Sequence, residues 1–264
     1  ALALQIETED GEKTCIEANE AFRCAPSPIL YDDLRAGEWY DARREIPGWN
    51  LPEFDDGDWS PVLPAETPRG ECRLCQAEPI VTTHELAPVE VRRGRLRDGD
   101  YVHPGLPVIP MEGVEAEKSG WLYDFGVNAA GLCRLKIKGK PGQKIVLQFA
   151  ETLDENDEVD LRGMSFLPAA LDHRDVYICK GEGEEVYTPS FTYHGFRYCL
   201  ALGLEDEQAT PDLLTYQVMN SDLAVRGDFT SSSETLNRLQ QATRVSDRTA
   251  FFYVGDMVET GPTK

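Results

Sequence analysis

Gly131-Leu-Cys-Arg-Leu-Lys-Ile-Lys138 and Lys144-Ile-Val-Leu-Gln-Phe-Ala150 decide the fold. In the first stretch Cys133, Leu135 and Ile137 alternate with Arg134, Lys136 and Lys138, the period-two signature of a half-buried strand. In the second, Ile145, Leu147 and Phe149 share one face. Between them Lys140-Pro141-Gly142 supplies turn chemistry, since Pro presets φ and Gly tolerates positive φ. The pair reads as a β-hairpin, and the rest of the chain is read outward from it.

Asp175 to Lys180 and Phe196 to Leu202 read as two further strands, with Gly181-Glu182-Gly183 marking a turn. Toward the N-terminus, Leu2 to Thr8 and Lys13 to Glu17 bracket Glu9-Asp10-Gly11-Glu12 as a second hairpin. Short segments near Ile80 to Glu85 and Val89 to Arg92 are strands within an otherwise proline-rich region. Ser231-Ser-Ser-Glu234 has the spacing of a capping box, and Leu236, Leu239 and Thr243 then recur at helical spacing, predicting a helix from about Ser232 to about Ala250. The class is therefore all-β, of jelly-roll or β-sandwich type with a short C-terminal helix. Four regions follow: a partial accessory β module at 1–65, a connector at 66–115, a β-sandwich at 116–222 and a helical tail at 223–264.

The chain has 264 residues, with 47 acids against 26 bases and a net charge of −21. That balance repels polyanions, so nucleic acid is not an expected partner. No run of eighteen apolar residues exists, which excludes a membrane-spanning helix. The first residues, Ala1-Leu-Ala-Leu-Gln5, run into Glu7, Glu9 and Asp10 and do not read as a signal peptide, so the compartment stays open. Seven cysteines, at 15, 24, 72, 75, 133, 179 and 199, cannot all pair within one chain. Cys72-Arg-Leu-Cys75 has zinc-knuckle spacing, but no second pair follows and His84 stands alone, so no metal site is expected there.

Two sets of motifs resemble the α-L-rhamnosidase family. The first is Ser27-Pro-Ile-Leu-Tyr-Asp-Asp-Leu-Arg-Ala-Gly-Glu-Trp-Tyr-Asp-Ala-Arg-Arg-Glu45, followed by Pro47-Gly48-Trp49 and Phe54-Asp55-Asp56-Gly57-Asp58-Trp59, which is similar to that family's N-terminal accessory module. The second is Trp121-Leu-Tyr-Asp-Phe-Gly-Val-Asn128, Gln148-Phe-Ala-Glu-Thr-Leu-Asp154 and Phe191-Thr-Tyr-His-Gly-Phe-Arg-Tyr198, similar to successive signposts of its β-sandwich domain. Together they cover most of residues 1–250. The resemblance implies a catalytic (α/α)6 barrel that carries the general acid and base, and no position in this chain matches that barrel. The chain is expected not to hydrolyse glycosides.

Several constellations carry possible chemistry. Asp41, Glu45, Asp55, Asp56 and Asp58 are dense enough to suggest a carboxylate pair spaced roughly 6.5–9.5 Å apart, but the resemblance puts them in a non-catalytic module. Asp154 to Asp160 alternates oxygen ligands as a calcium loop does, yet Val159 stands where the sixth-position Gly belongs and Ser165 where the twelfth-position Glu belongs. Trp39, Tyr40, Asp41, Arg43 and Trp49 form the most sugar-like group, since aromatic faces stack on pyranose C–H groups and Asp or Arg holds hydroxyls. Against this stands simple packing of the two tryptophans. Tyr193 to Tyr198 mixes aromatics with His194 and Arg197, the candidate catalytic pair if the protein is an enzyme. Strand parity sets His194 with Phe196 and Tyr198, which also fits a satisfied core histidine. Tyr123, Asp124, Asn128 and Tyr193 complete the candidate ligand site, expected in a groove where two sandwiches meet.

Three functions compete. The leading one is a non-hydrolytic β-sandwich protein that binds carbohydrate or supports a catalytic domain. The second is a repurposed small-molecule lyase, isomerase or cyclase, working without a cofactor. The third is one piece of an intact α-L-rhamnosidase. Carbohydrate or another small molecule is the expected partner in each, and oligomeric state is not legible.

Overall fold

The computed structural model describes residues 3–65, 75–98, 114, 117–164, 173–224, 229–244, 248–253 and 256–262, with backbone alone for residue 3 and from 240 onward. The chain forms two compact units: Ala1–Pro28 with Arg44–Gln76, and Ile29–Arg43 with Ala77–Lys264. The boundary drawn at residue 65 is therefore not where the chain divides. Ile29–Arg43 leaves the N-terminal module and joins the larger unit, because its strands pair there.

The smaller unit holds β1 (Ala3–Glu7) and β2 (Lys13–Glu17), an antiparallel hairpin in register from Glu7↔Lys13 to Ala3↔Glu17 as the sequence predicts. It also holds β3 (Arg23–Cys24), which pairs with a two-residue strand at Ser60–Pro61. Between these in sequence, β4 (Ile29–Asp33) and β5 (Gly37–Asp41) belong to the larger unit, and β6 is the Ser60–Pro61 strand. The supposed connector contributes β7 (Ile80–Leu86) and β8 (Glu90–Arg95) to the main sheet, while its residues 66–74, 99–113 and 115 lie outside the described residues.

The centre of the larger unit is β9 (Ser119–Ile137), a strand of 19 residues, followed by β10 (Lys144–Ala150). Two short strands, β11 (Thr152–Leu153) and β12 (Val159–Asp160), pair with each other. Then come β13 (Arg174–Ile178), β14 (Glu185–Tyr187), β15 (His194–Leu202) and β16 (Leu214–Ser221). The strand order is β4-β5-β13-β10-β15-β9-β16-β7, with β8 and β14 also on β9. Residues 119–124 of β9 pair with β8, residues 121–124 and 129–131 with β15, and residues 131–137 with β16 and β14. One strand thus serves two layers of a curled sheet.

This arrangement corrects the hairpin. β9 and β10 do not pair; β15 lies between them, and β10 bonds to β13 and β15. Periodicity identifies which face of a strand is buried but not which strand lies beside it. The face assignments themselves match: Cys133, Leu135, Ile137, Ile145, Leu147 and Phe149 all enter one core cluster. The opposite face of β10 is buried as well, where Val146 and Ala150 meet Val159, Leu161, Val176, Leu200 and Leu202. Burial on both faces is what a strand inside a sheet needs, and it explains the near-continuous apolar run Ile145-Val-Leu.

The only parallel neighbours in this path, β5 and β13, approach closely at Gly37, where φ is +120° and a Cβ would stand 2.0 Å from the Arg174 carbonyl oxygen. No other residue type fits there. At the C-terminus, α1 spans Glu234–Arg244, followed by an antiparallel pair, β17 (Arg248–Tyr253) and β18 (Asp256–Pro262). The helical tail is thus shorter than predicted; Thr249, Phe251, Phe252 and Tyr253 are β-branched or aromatic and favour a strand. The cap also shifts: the Leu236 amide donates to Ser233 Oγ at 3.4 Å, whereas Ser231 is held by Asn237. Among the described residues no helix is long and apolar enough to cross a membrane.

Candidate functional site

Two buried carboxylates organise the segment that leads into β15. Glu38 on β5 is buried, and its Oε1 accepts from the Tyr187 hydroxyl at 3.0 Å. Its Oε2 accepts from the backbone amides of Ser190 and Phe191 at 2.9 and 3.1 Å. Burial, with the Asp175 and Glu38 carboxylates nearby, pushes the Tyr187 phenol far above its usual range. Asp175 on β13 is also buried, and its Oδ1 accepts from the Glu38 amide at 3.0 Å and sits 3.1 Å from His194 Nε2. Thr192 Oγ1 donates to the Leu34 carbonyl at 3.2 Å. Residues 187–194 are therefore pinned at several points to β5 and β13.

What that segment presents outward is a groove of about 500 Å³ within the larger unit. Phe191 and Tyr193 stand on its lip, 61% and 46% exposed, beside Leu34 and Ile80. Ser190, Thr192, Asn220 and Ser221 supply hydroxyl and amide groups on its walls. The volume falls in the range of small-ligand sites, roughly 300–1,000 Å³. Among the described lining residues none is charged, in a chain where 28% are. Half-exposed aromatic rings next to neutral hydrogen-bonding groups can hold the apolar face and the hydroxyls of one ligand together.

The predicted residues divide around this groove. Tyr193 lines it. His194 does not: it is 1% exposed, its ring stacks on Phe149 at a centroid distance of 4.4 Å, and Asp175 takes its Nε2. This fits the core-histidine alternative in burial, although Nδ1 has no hydrogen-bond partner among the described residues, and it keeps the ring out of the groove lining. The parity argument failed at one point. Between Phe196↔Ala129 and Tyr198↔Asp124 the register with β9 jumps, so residues 125–128 of β9 bulge. Alternation along β15 breaks at the same place: Phe196 and Cys199 enter one cluster, with His194 stacked on Phe149 beside them, while Tyr198 and Leu200 enter the other.

Arg197 makes a two-pronged ion pair with Asp124, with Nε and Nη2 each 2.8 Å from an oxygen. The Arg197 guanidinium holds the Asp124 carboxyl below the usual carboxylate range, and the pair raises Arg197 in turn. Asp124 also accepts from the Gly126 amide at 2.6 Å, which fixes the bulge where Gly126 takes φ +74°. Asn128 is exposed on that bulge, and Tyr123 is buried with its hydroxyl donating to Thr210.

The sugar-like group does not converge either. Trp39 and Tyr40 point to opposite faces of β5, toward different core clusters, and Trp49 belongs to the other unit. Asp41 is occupied by Arg43 through two bonds of 2.8 Å. Asp154 accepts from the Asn156 and Glu158 amides at the tip of the β11–β12 pair and faces Arg97, which makes it a turn residue. Cys72 lies outside the described residues. Phe191, Asn220 and Ser221 escaped sequence reading, although Phe191 stood within a quoted motif; an apolar residue left outside its strand was the available signal.

The sheet and groove define a β-sandwich carrying a neutral, aromatic-lipped cleft. Residues 1–84 match the α-L-rhamnosidase N-terminal domain and residues 114–220 the bacterial α-L-rhamnosidase concanavalin-like domain. An α-L-rhamnosidase of Streptomyces avermitilis is 31% identical over 237 residues, 89% of this chain and 20% of that protein. The structure of an α-L-rhamnosidase from Dictyoglumus thermophilum superposes with a TM-score of 0.73 at 30% identity, covering 92% of this chain and 25% of that one. The S. avermitilis enzyme complexed with L-rhamnose gives 0.71 at 29%, covering 92% and 21%. The chain belongs to the α-L-rhamnosidase family, carrying its N-terminal and concanavalin-like domains. It spans about a fifth to a quarter of the length of these relatives.

Proposed function

We propose that this chain is the accessory, non-hydrolytic β portion of a rhamnosidase-type protein and that it binds carbohydrate in the groove of its larger unit. The observation that carries the reading is the groove's make-up: Phe191 and Tyr193 half exposed on a pinned lip, with Ser190, Thr192 and Asn220 beside them. Pyranose rings present an apolar C–H face and an edge of hydroxyls, which is the complement of that lining. The S. avermitilis relative in complex with L-rhamnose supports a small sugar as the ligand class. The two matched domains support an accessory role, since the family resemblance places the hydrolytic acid and base in a barrel beyond both.

The test has two arms. Purified chain incubated with p-nitrophenyl α-L-rhamnoside is expected to release no p-nitrophenol above the blank. Titration with methyl α-L-rhamnoside, followed by NMR, is expected to shift resonances of the groove, and Tyr193→Ala to abolish the shifts without altering the melting temperature. Turnover that co-purifies with the folded chain would overturn the first half. Binding untouched by Tyr193→Ala would move the ligand elsewhere.

A further inference from the structure

We propose that the groove accepts only uncharged glycosides, and that Glu38 imposes this by holding a buried carboxylate charge on the amide pair at its lip. The inference rests on the carbohydrate reading above and names the class of ligand.

The argument begins with the backbone. Successive amide N–H groups converging on one point form an anion-binding nest. Ser190 and Phe191 provide two such groups at the groove's lip, and both donate to Glu38 Oε2 at 2.9 and 3.1 Å. A carboxylate of the protein already fills the position that a ligand carboxylate would seek. Glu38 is 1% exposed, and its other oxygen is held by the Tyr187 hydroxyl at 3.0 Å. It cannot swing aside without stranding a buried hydroxyl. Asp175 lies directly behind, accepting from the Glu38 amide at 3.0 Å, and adds a second buried carboxyl to the same wall.

Among the described residues that line the groove there is no compensating cation. The described lining is Leu34, Ile80, Ser190, Phe191, Thr192 and Tyr193 on one side, with Ala130, Leu132, Met219, Asn220 and Ser221 opposite, and none is basic. The whole chain carries a net charge of −21, which adds long-range repulsion of anions. A uronic acid in the groove would surrender hydration and meet, among the described lining residues, neither an Arg nor a Lys. A neutral sugar loses nothing of the kind.

The experiment uses a disaccharide of L-rhamnose and a uronic acid, both as the free acid and as its methyl ester, titrated calorimetrically against the full chain. Methyl α-L-rhamnoside serves as the reference. The ester is expected to bind and the acid to bind at least about tenfold more weakly, the order one unpaired charge near a half-buried site produces. Glu38→Gln tests the assignment. The glutamine oxygen can still accept both amides, and the Tyr187 hydroxyl can turn to accept from the new NH2 group. In that variant the ratio of acid to ester affinity is expected to rise at least about fivefold.

Equal binding of acid and ester by the wild-type chain overturns the inference and leaves the carbohydrate reading standing. Rejection of the ester along with the acid shows exclusion by size, and overturns it as well. An unchanged ratio in folded Glu38→Gln removes Glu38 from the explanation. Should that variant fail to fold, the acid-to-ester comparison on the wild type still decides whether charge is selected. Failure of methyl α-L-rhamnoside itself to bind sinks both readings together.

Discussion

The six described cysteines sort by unit. Cys15, Cys24 and Cys75 are exposed and all lie in the smaller unit, whereas Cys133, Cys179 and Cys199 are buried and all lie in the larger one. The apolar residues tell the same story. Leu4, Ile6 and Ile16 of the β1–β2 pair remain 41–50% exposed, while every residue of β10 after Lys144 is buried. Part of the difference is local, since β1 alternates Leu4 and Ile6 with polar neighbours whereas β10 carries the apolar run Ile145-Val-Leu. What also differs is the number of layers: a two-stranded ribbon has nothing to cover its faces, whereas a strand with neighbours on both edges and clusters on both faces is shut from water.

The largest effect that tests this contrast is chemical. In native buffer a thiol reagent is expected to label Cys15, Cys24 and Cys75 rapidly. Cys133, Cys179 and Cys199 should react about a thousandfold more slowly or less, because exposing them takes unfolding of the sheet. Burial pushes the Cys179 thiol up to about 12 and raises Cys199 well above its ordinary value, which removes the reactive thiolate as well. Peptide mapping after timed quenching reads the rates. Prompt labelling of Cys199 would break the comparison, because it would mean that β15 opens as freely as the hairpin.

A middle-sized effect comes from His194. His194→Ala is expected to lower stability by about 1–3 kcal/mol, the usual cost of leaving a buried partner, here Asp175, without its hydrogen bond. Chemical denaturation measures that, and the folded fraction should keep its ligand binding. Weak binding with full stability would return His194 to the site.

The sequence made the faces of the core strands readable because side-chain alternation is a local property. It did not reveal that β15 separates β9 from β10, nor that β5 lies beside β13, because pairing depends on surfaces far apart in the chain. The misreading of Tyr198 has the same root. The alternation of β15 itself breaks between Phe196 and Tyr198, opposite residues 125–128 of β9, and that break comes with the pairing and not with the local pattern. The groove was harder still, since its lip becomes a lip only when Glu38 gathers the Ser190 and Phe191 amides.

The smallest effect belongs to the pair of Arg197 and Asp124. Its carboxyl is depressed in the folded chain, so the pair's contribution is complete above the unfolded value of about 4 and is lost as pH falls below it. Replacing Arg197 with Met is expected to cost under about 1 kcal/mol at neutral pH, with the difference from wild type vanishing in acid. A gap that persists at low pH would mean that Arg197 acts through packing on Tyr198, over whose ring its guanidinium lies at 4.9 Å.

The parallel contact between β5 and β13 has a consequence for how the protein is made. Trp39 and Tyr40 leave the ribosome 137 residues before Val176 and Tyr177, the residues they must lie beside. At ordinary rates of translation that gap lasts on the order of ten seconds, during which an aromatic strand is paired on one edge by β4 and has its other edge open. The acidic residues Asp32, Asp33, Glu38 and Asp41 that surround it in sequence keep the nascent segment hydrated and repel a second copy.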